Sequence, residues 1–438
     1  MSALTEGGAR TPARPGRAAR FVADPADEPL PPQDRTIAVA AGAAFMLLAV
    51  VLPTAIAPIS IAGGLCIALT LAAWAAGPTR WTRTPVDFPA LGWLTALAIA
   101  AWFAEDRAAS LTRLGKGLLP VLVAVAAFHG GLARRGKRAL ALWLVAGSVA
   151  ALAGFFLWLG QGGGLEARAR GPSGHYMTFA GQLLWLVCVA AGVALCARRP
   201  RWRVLGGFAA IAGALALAAT FTRSAWIGAA VALAVLCAIA RPRLLPALAA
   251  LIAIAALLAP AELRDRLASA VDPRHPTNVE RTHMWEAGVR IFRDHPVTGV
   301  GLQDLHPVYD RYRSPGALEP AGHLHSVPIQ VAATTGTIGL VAFAALLVGL
   351  FCAAALGLRD QVARLRLADR FGAADAGVTR DLGLAVGLRA GTTAALVGFL
   401  VAGLFEWNFG DEELLWLLYA VVGLAWAARD WGRVPDDA

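Results

Sequence analysis

Residues 322 to 347 read GHLHSVPIQVAATTGTIGLVAFAALL. Two histidines one residue apart, His323 and His325, stand at the mouth of an apolar run in which no charged residue appears before Arg359. A bilayer core takes about 20 apolar residues of helix, so the run is long enough to cross one. The whole chain follows this pattern. Of its 438 residues 58% are hydrophobic and 16% charged, and the mean hydropathy is +0.60, outside the usual range of soluble globular domains. The expectation is an all-α polytopic membrane protein.

Twelve runs of spanning length are found, near 37 to 55, 57 to 77, 86 to 104, 115 to 131, 138 to 160, 175 to 197, 203 to 221, 224 to 240, 242 to 260, 327 to 356, 384 to 405 and 412 to 428. Many are rich in Gly and Ala, the residues that let helices approach closely in lipid. Their connections set the orientation, because short loops bearing Arg and Lys stay cytoplasmic. Arg80 and Arg83, the 134 to 138 cluster, Arg198 to Arg203, Arg241 and Arg243, and the 357 to 380 segment all fall on one side. Arg10, Arg14, Arg17, Arg20 and Arg35 in the first tail, with Arg429 and Arg433 in the last, join them, so both termini are expected in the cytoplasm. This topology absorbs most of the net charge of +10. No basic stripe with interleaved aromatics points to nucleic acid.

The division expected is a disordered cytoplasmic tail over 1–35, nine spans over 36–260, a large outer loop over 261–326, three spans over 327–428 with a cytoplasmic loop at 357–380, and a tail over 429–438. The first tail has no apolar segment with a cleavage site and so does not read as a signal peptide. The 357–380 loop reads as a membrane-surface helix. The five cysteines lie inside apolar runs without metal-ligand spacing and read as small core residues.

The 261–326 loop holds six of the eight histidines. Within it, NVERTHMWEAGVRIFRDHP (278–296) repeats Met284, Trp285, Gly288, Val289, Ile291 and Phe292 at helical spacing, and Pro296 ends the pattern. Arg281 projects from the apolar face of this amphipathic helix, four residues before Trp285. Its guanidinium either snorkels to lipid phosphate or forks onto a diphosphate. PVTGVGLQDL (296–305) has no preceding strand and reads as a turn that sends the chain back toward the membrane, not as a nucleotide fingerprint. In ATFTRSAWIGAA (219–230), Arg223 sits at the membrane boundary, either as an interfacial anchor or as a functional charge.

Taken together, TRSAW (222–226), RTHMWEAGVRIFRDHPVTGVG (281–301) and HSVPIQVAATTGTIG (325–339) resemble the bacterial O-antigen ligase and polymerase superfamily in both order and spacing. The resemblance implies about twelve membrane helices with the large periplasmic loop between the ninth and tenth. Its ligase pattern, a histidine, then Asn, Ser or Gln, then nine residues and a glycine, is met by His325, Ser326 and Gly336. The resemblance points to His325 at the reacting centre and to Arg223 and Arg281 as the essential arginines. His323 matches a freer position beside them. RARGPSGHYMTFAGQ (168–182) and FEWNFGDEE (405–413) also resemble relatives. They add Arg168, Arg170, His175, Tyr176, Glu406, Asn408 and Asp411 as candidates, and Trp285, Arg290 and Ser326 complete the substrate-binding set.

The implied reaction transfers a glycan from undecaprenyl diphosphate to a sugar hydroxyl of the lipid A core, at the periplasmic face of the bacterial inner membrane. His325 would serve as general base and the arginines would hold the diphosphate. Attack opposite the leaving group would invert the anomeric centre, as in a GT-C-like inverting glycosyltransferase. No cofactor or metal is expected, because no Asp-x-Asp occurs and His323 and His325 lack a third ligand at a credible spacing. A polymerase of O-antigen or exopolysaccharide, or a transferase that glycosylates protein, shares the same motifs. A secondary anion transporter is a third reading, but inverted repeats and midplane charges do not stand out.

Overall fold

A computed structural model describes residues 32–77, 81–371 and 376–432. The tail with Arg10, Arg14, Arg17 and Arg20, the side chain of Arg35, and Arg80 and Arg433 lie outside the described residues. So do 372–375 of the connection expected to be cytoplasmic.

Among the described residues there is no strand. The first nine helices are α1 Pro32–Val51, α2 Ile56–Ala76, α3 Asp87–Trp102, α4 Arg107–Thr112, α5 Val121–Gly131, α6 Ala133–Gly160, α7 Tyr176–Cys196, α8 Pro200–Ala219 and α9 Arg223–Ala240. They are followed by α10 Leu245–Leu258, α11 Ala261–Ala268, α12 Pro276–Asp294, α13 His306–Tyr312, α14 Val327–Ala355, α15 Leu358–Phe371, α16 Ala376–Gly403 and α17 Glu412–Ala427. Each of the twelve apolar runs falls on helix. By length and composition, eight helical segments among the described residues suffice to cross a membrane, or nine if Pro242–Leu258 and Ala261–Ala268, bent by 117°, make one span. The expectation of twelve counted apolar runs regardless of helix length. α3 and α17 have 16 residues and α10 has 14, fewer than a straight crossing needs.

Helix α16 is the hub. It packs against α7, α9, α14, α15 and α17, and its contacts with α7 depend on missing side chains. A Cβ on Gly387 would lie 2.6 Å from the Gly192 carbonyl oxygen, and one on Gly192 would lie 2.3 Å from that of Gly387. Without a large hydrophobic drive in lipid, such backbone proximity is where dispersion contacts accumulate. α15 packs one face against the bundle. Its Leu358, Val362 and Leu365 are buried, and Gln361 Oε1 accepts a 2.6 Å hydrogen bond from the fully buried Arg389 of α16. α10 stands at the periphery with no buried residue.

Substituting Gly387→Val should force α7 and α16 apart and cost about 1–3 kcal/mol. Gly207→Val, at a helical glycine with open space around it, should cost much less. Thermal unfolding of both variants in lipid nanodiscs is the check.

Candidate active site

Pro296 follows the end of α12, and the turn after it repairs a break in α14. At Gly336 α14 leaves helical geometry, with φ 60 and ψ −160, a region open only to glycine. The turn supplies hydrogen bonds around the break. Thr337 N donates to Pro296 O at 2.8 Å, while Val300 N and Gly301 N donate to Ala333 O and Thr334 O, each at 3.0 Å. A Cβ at Gly336 would lie 2.3 Å from the Val297 carbonyl oxygen. The spacing from histidine to glycine therefore has a mechanical meaning: it sets the length of the half-helix that carries Ser326 and His325 at its head. The turn reading of 296–305 is the conformation found.

His325 is fixed from several directions. Its backbone is left-handed, φ 46. Its carbonyl accepts from Trp285 Nε1 of α12 at 3.4 Å, and the neighbouring Leu324 N donates to Gln330 Oε1 at 2.8 Å. Ser326 is buried as the N-cap residue of α14, and its carbonyl oxygen accepts from Gln330 N.

The imidazole meets a carboxylate 81 residues away. His325 Nδ1 lies 2.9 Å from Glu406 Oε1, Arg281 Nη2 lies 3.3 Å from Glu406 Oε2, and His323 Nε2 stands 3.8 Å from Oε1. The two imidazole rings are 4.2 Å apart between centroids. Burial alone would raise Glu406, but the two imidazoles and the Arg281 guanidinium outweigh it and hold the carboxyl well below the usual carboxylate range. An ionised Glu406 takes the Nδ1 proton in its hydrogen bond and leaves Nε2 of His325 as a proton acceptor.

Two cavities flank this centre and share Tyr176 and Met177 as lining residues. The larger, about 900 Å³, has His323, His325, Glu406 and Asp411 in its wall, an apolar side that includes Phe343 and Tyr419, and charged groups such as Lys116 and Asp304. The smaller, about 150 Å³, is lined by four arginines, Arg168, Arg223, Arg266 and Arg281, and by no acidic residue. Arg223 is buried and bonded to neutral oxygens only: Ser269 O at 2.5 Å, Ser269 Oγ at 3.0 Å, Thr277 Oγ1 at 2.8 Å and Asn278 Oδ1 at 2.9 Å. Arg168 lies over the Tyr176 ring at 4.6 Å. Four cations around so small a space suit a multiply charged anion.

Of the expected residues, His325, His323, Glu406, Arg281, Arg223, Arg168, His175 and Tyr176 converge on these cavities. Trp285 and Ser326 support His325 from behind. Asn408 is buried and donates from Nδ2 to Phe399 O at 2.7 Å. Arg170 is exposed and lines neither cavity. Arg290 also stays away, donating to Ser314 Oγ at 2.7 Å. Two participants were missed. Arg266 shares α11 with Arg264, and nothing in its spacing singles it out. Glu280 accepts from Leu318 N and Glu319 N, each at 3.2 Å for Oε2, and so ties α12 to the segment beside the large cavity.

The fold also supplies the third group that the sequence lacked beside the histidine pair. His323, His325 and Glu406 offer ligand atoms within 4.8 Å of one another. They fit a divalent cation poorly. Glu406 already bonds His325 Nδ1 directly and shares its other oxygen with a guanidinium, so an ion would have to displace a proton and sit beside a fixed positive charge.

Gly336→Ala should cost about 2 kcal/mol or more through forbidden backbone and collision with Val297. Gly160→Ala, in open space at the end of α6, serves as control. Folded protein recovered from membranes and its unfolding temperature would report the difference.

Among known proteins, residues 208–344 match the family model described as O-antigen ligase. That segment contains Arg223, Arg266, Arg281, His325 and Gly336, while Arg168, Glu406 and Asp411 lie outside it. No curated protein matches the chain. Through this segment, which holds three of the four arginines of the small pocket and the histidine beside the large cavity, the chain is similar to the O-antigen ligase family.

Proposed function

We propose that the protein is an O-antigen ligase, transferring a glycan from undecaprenyl diphosphate to a sugar hydroxyl of the lipid A core at the periplasmic face of the bacterial inner membrane, with both termini in the cytoplasm. The observation that carries this reading is the division of the site. An acid-free pocket of four arginines lies on one side of Tyr176 and Met177, and the larger cavity holding the His325–Glu406 pair lies on the other.

In this reading the diphosphate occupies the small pocket, where Arg168, Arg223, Arg266 and Arg281 balance the charge that grows as it departs. The acceptor sugar occupies the large cavity. His325 Nε2 takes the proton of the attacking hydroxyl, whose oxygen forms the new bond to the anomeric carbon while the carbon–oxygen bond to diphosphate breaks. Attack from the face opposite the leaving group inverts the anomeric centre. Glu406 fixes the tautomer and stabilises the imidazolium, and its second oxygen positions Arg281 toward the leaving group.

The deciding experiment is the lipopolysaccharide banding pattern in a ligase-deficient host carrying wild type, His325→Ala or Glu406→Gln at matched membrane levels. Wild type should restore the long-chain ladder. His325→Ala should lose about 10²-fold or more of the transfer, and Glu406→Gln should lose about tenfold or more. If wild type restores nothing while the lipid-linked donor accumulates, polymerase or protein-transferase chemistry takes its place.

A chelator added to purified enzyme should leave transfer unchanged. A loss reversed by a divalent ion would convert His323, His325 and Glu406 into a metal site and overturn the base assignment.

A further inference from the structure

The turn between α16 and α17 carries a second carboxyl group at the large cavity, in surroundings opposite to those of Glu406. Asp411 occupies the N-cap position of α17, yet its side chain caps none of the helix N–H groups. It lines the cavity instead, and its Oδ2 accepts the Thr178 hydroxyl of α7 at 2.9 Å.

The charged groups around it disfavour ionisation. Glu406 from its own turn and Glu413 from α17 repel a second negative charge, and His323 is the facing group that would favour it. Lys116, which reaches the same turn from the segment after α4, is committed to Gly410 O at 2.8 Å and stands 3.6 Å from Glu412 Oε1. Burial acts first, the Thr178 hydrogen bond and His323 oppose it, and Glu406 and Glu413 add to it, so the Asp411 carboxyl is pushed up to about 6. Two carboxyls on one turn are thus driven apart, a pattern that separates a fixed charge from a proton-bearing group.

We propose that Asp411 positions the acceptor, its protonated form donating a hydrogen bond from Oδ1 to a hydroxyl or ring oxygen of a saccharide in the large cavity. The Thr178 bond occupies Oδ2 as an acceptor, so the proton resides on Oδ1. The inference deepens the proposed transfer, because it assigns a second residue to recognition of the sugar, and it rests on that reading for the sugar's presence.

The test uses full-length protein in lipid nanodiscs, with core oligosaccharide from rough lipopolysaccharide as the probe and tryptophan fluorescence as the binding signal. Wild type should bind with a dissociation constant that rises about tenfold per pH unit above the Asp411 midpoint. Asp411→Asn, neutral and still a donor, should bind within about threefold of wild type at low pH and show a flat profile. Asp411→Ala should bind about tenfold more weakly or worse. Infrared difference spectra of wild type against Asp411→Asn should show the carbonyl stretch of a protonated acid that disappears as pH rises. Asp411→Asn binding as poorly as Asp411→Ala, no binding by wild type, or no acid band would overturn the assignment. Transfer measured on the same samples separates the two readings: pH-dependent binding without transfer would sink the ligase reading and leave Asp411 in its role.

Discussion

The carboxylate of Glu406 is the joint on which the site turns. It reaches a histidine on the segment before α14 and an arginine on α12 at the same time, so three stretches of chain remote in sequence are held at one point. A buried carboxylate is costly unless its oxygens are satisfied. Here one oxygen faces an imidazole and the other a guanidinium, with Trp407 N adding a 3.2 Å bond to the first. The same contacts that make burial tolerable give the imidazole a defined tautomer and orient the arginine. One set of hydrogen bonds satisfies the carboxylate and orients its partners, and removing Glu406 leaves the Arg281 guanidinium without its ion pair.

Around that joint the backbone is arranged to withstand positions that helices do not favour. The break of α14 at Gly336 exposes peptide groups inside a largely apolar bundle, and the turn after Pro296 bonds them in place. His325 itself adopts a left-handed conformation, and Trp285 and Gln330 secure the peptide groups around it. The strain lies where a side chain must be aimed, and the compensating bonds come from α12 and its following turn. This explains why the amphipathic helix, the glycine-rich turn and the histidine segment occur as a linked set.

The arginine pocket follows the opposite logic. Its four guanidinium groups repel one another, and no acidic residue lines the space. Arg223 is held by carbonyl, hydroxyl and amide oxygens alone, which fix its direction without cancelling its charge. A preorganised positive field of this kind costs folding energy and favours an anion when one enters. Tyr176 and Met177 line both spaces, so the acid-free arginine pocket borders a cavity whose wall holds Glu406 and Asp411.

The helical class, the positions of the apolar runs, the amphipathic helix, the turn over 296–305 and the candidacy of His325, Arg223 and Arg281 were legible in the sequence. Each rests on hydropathy, helical spacing or short motifs, which are properties of neighbours along the chain. The number of spans was less legible, because an apolar run does not say how much of itself is helix. The partner of His325 was decided by tertiary structure: Glu406 was only one of two carboxyls in a turn until packing of α14 against α16 and α17 brought it within 2.9 Å of the imidazole. The path of the loop over the bundle brings Arg266 to the small cavity and leaves Arg290 away from both. Charge pairing depends on distance in space, and no local pattern encodes which of many arginines will face the same small cavity.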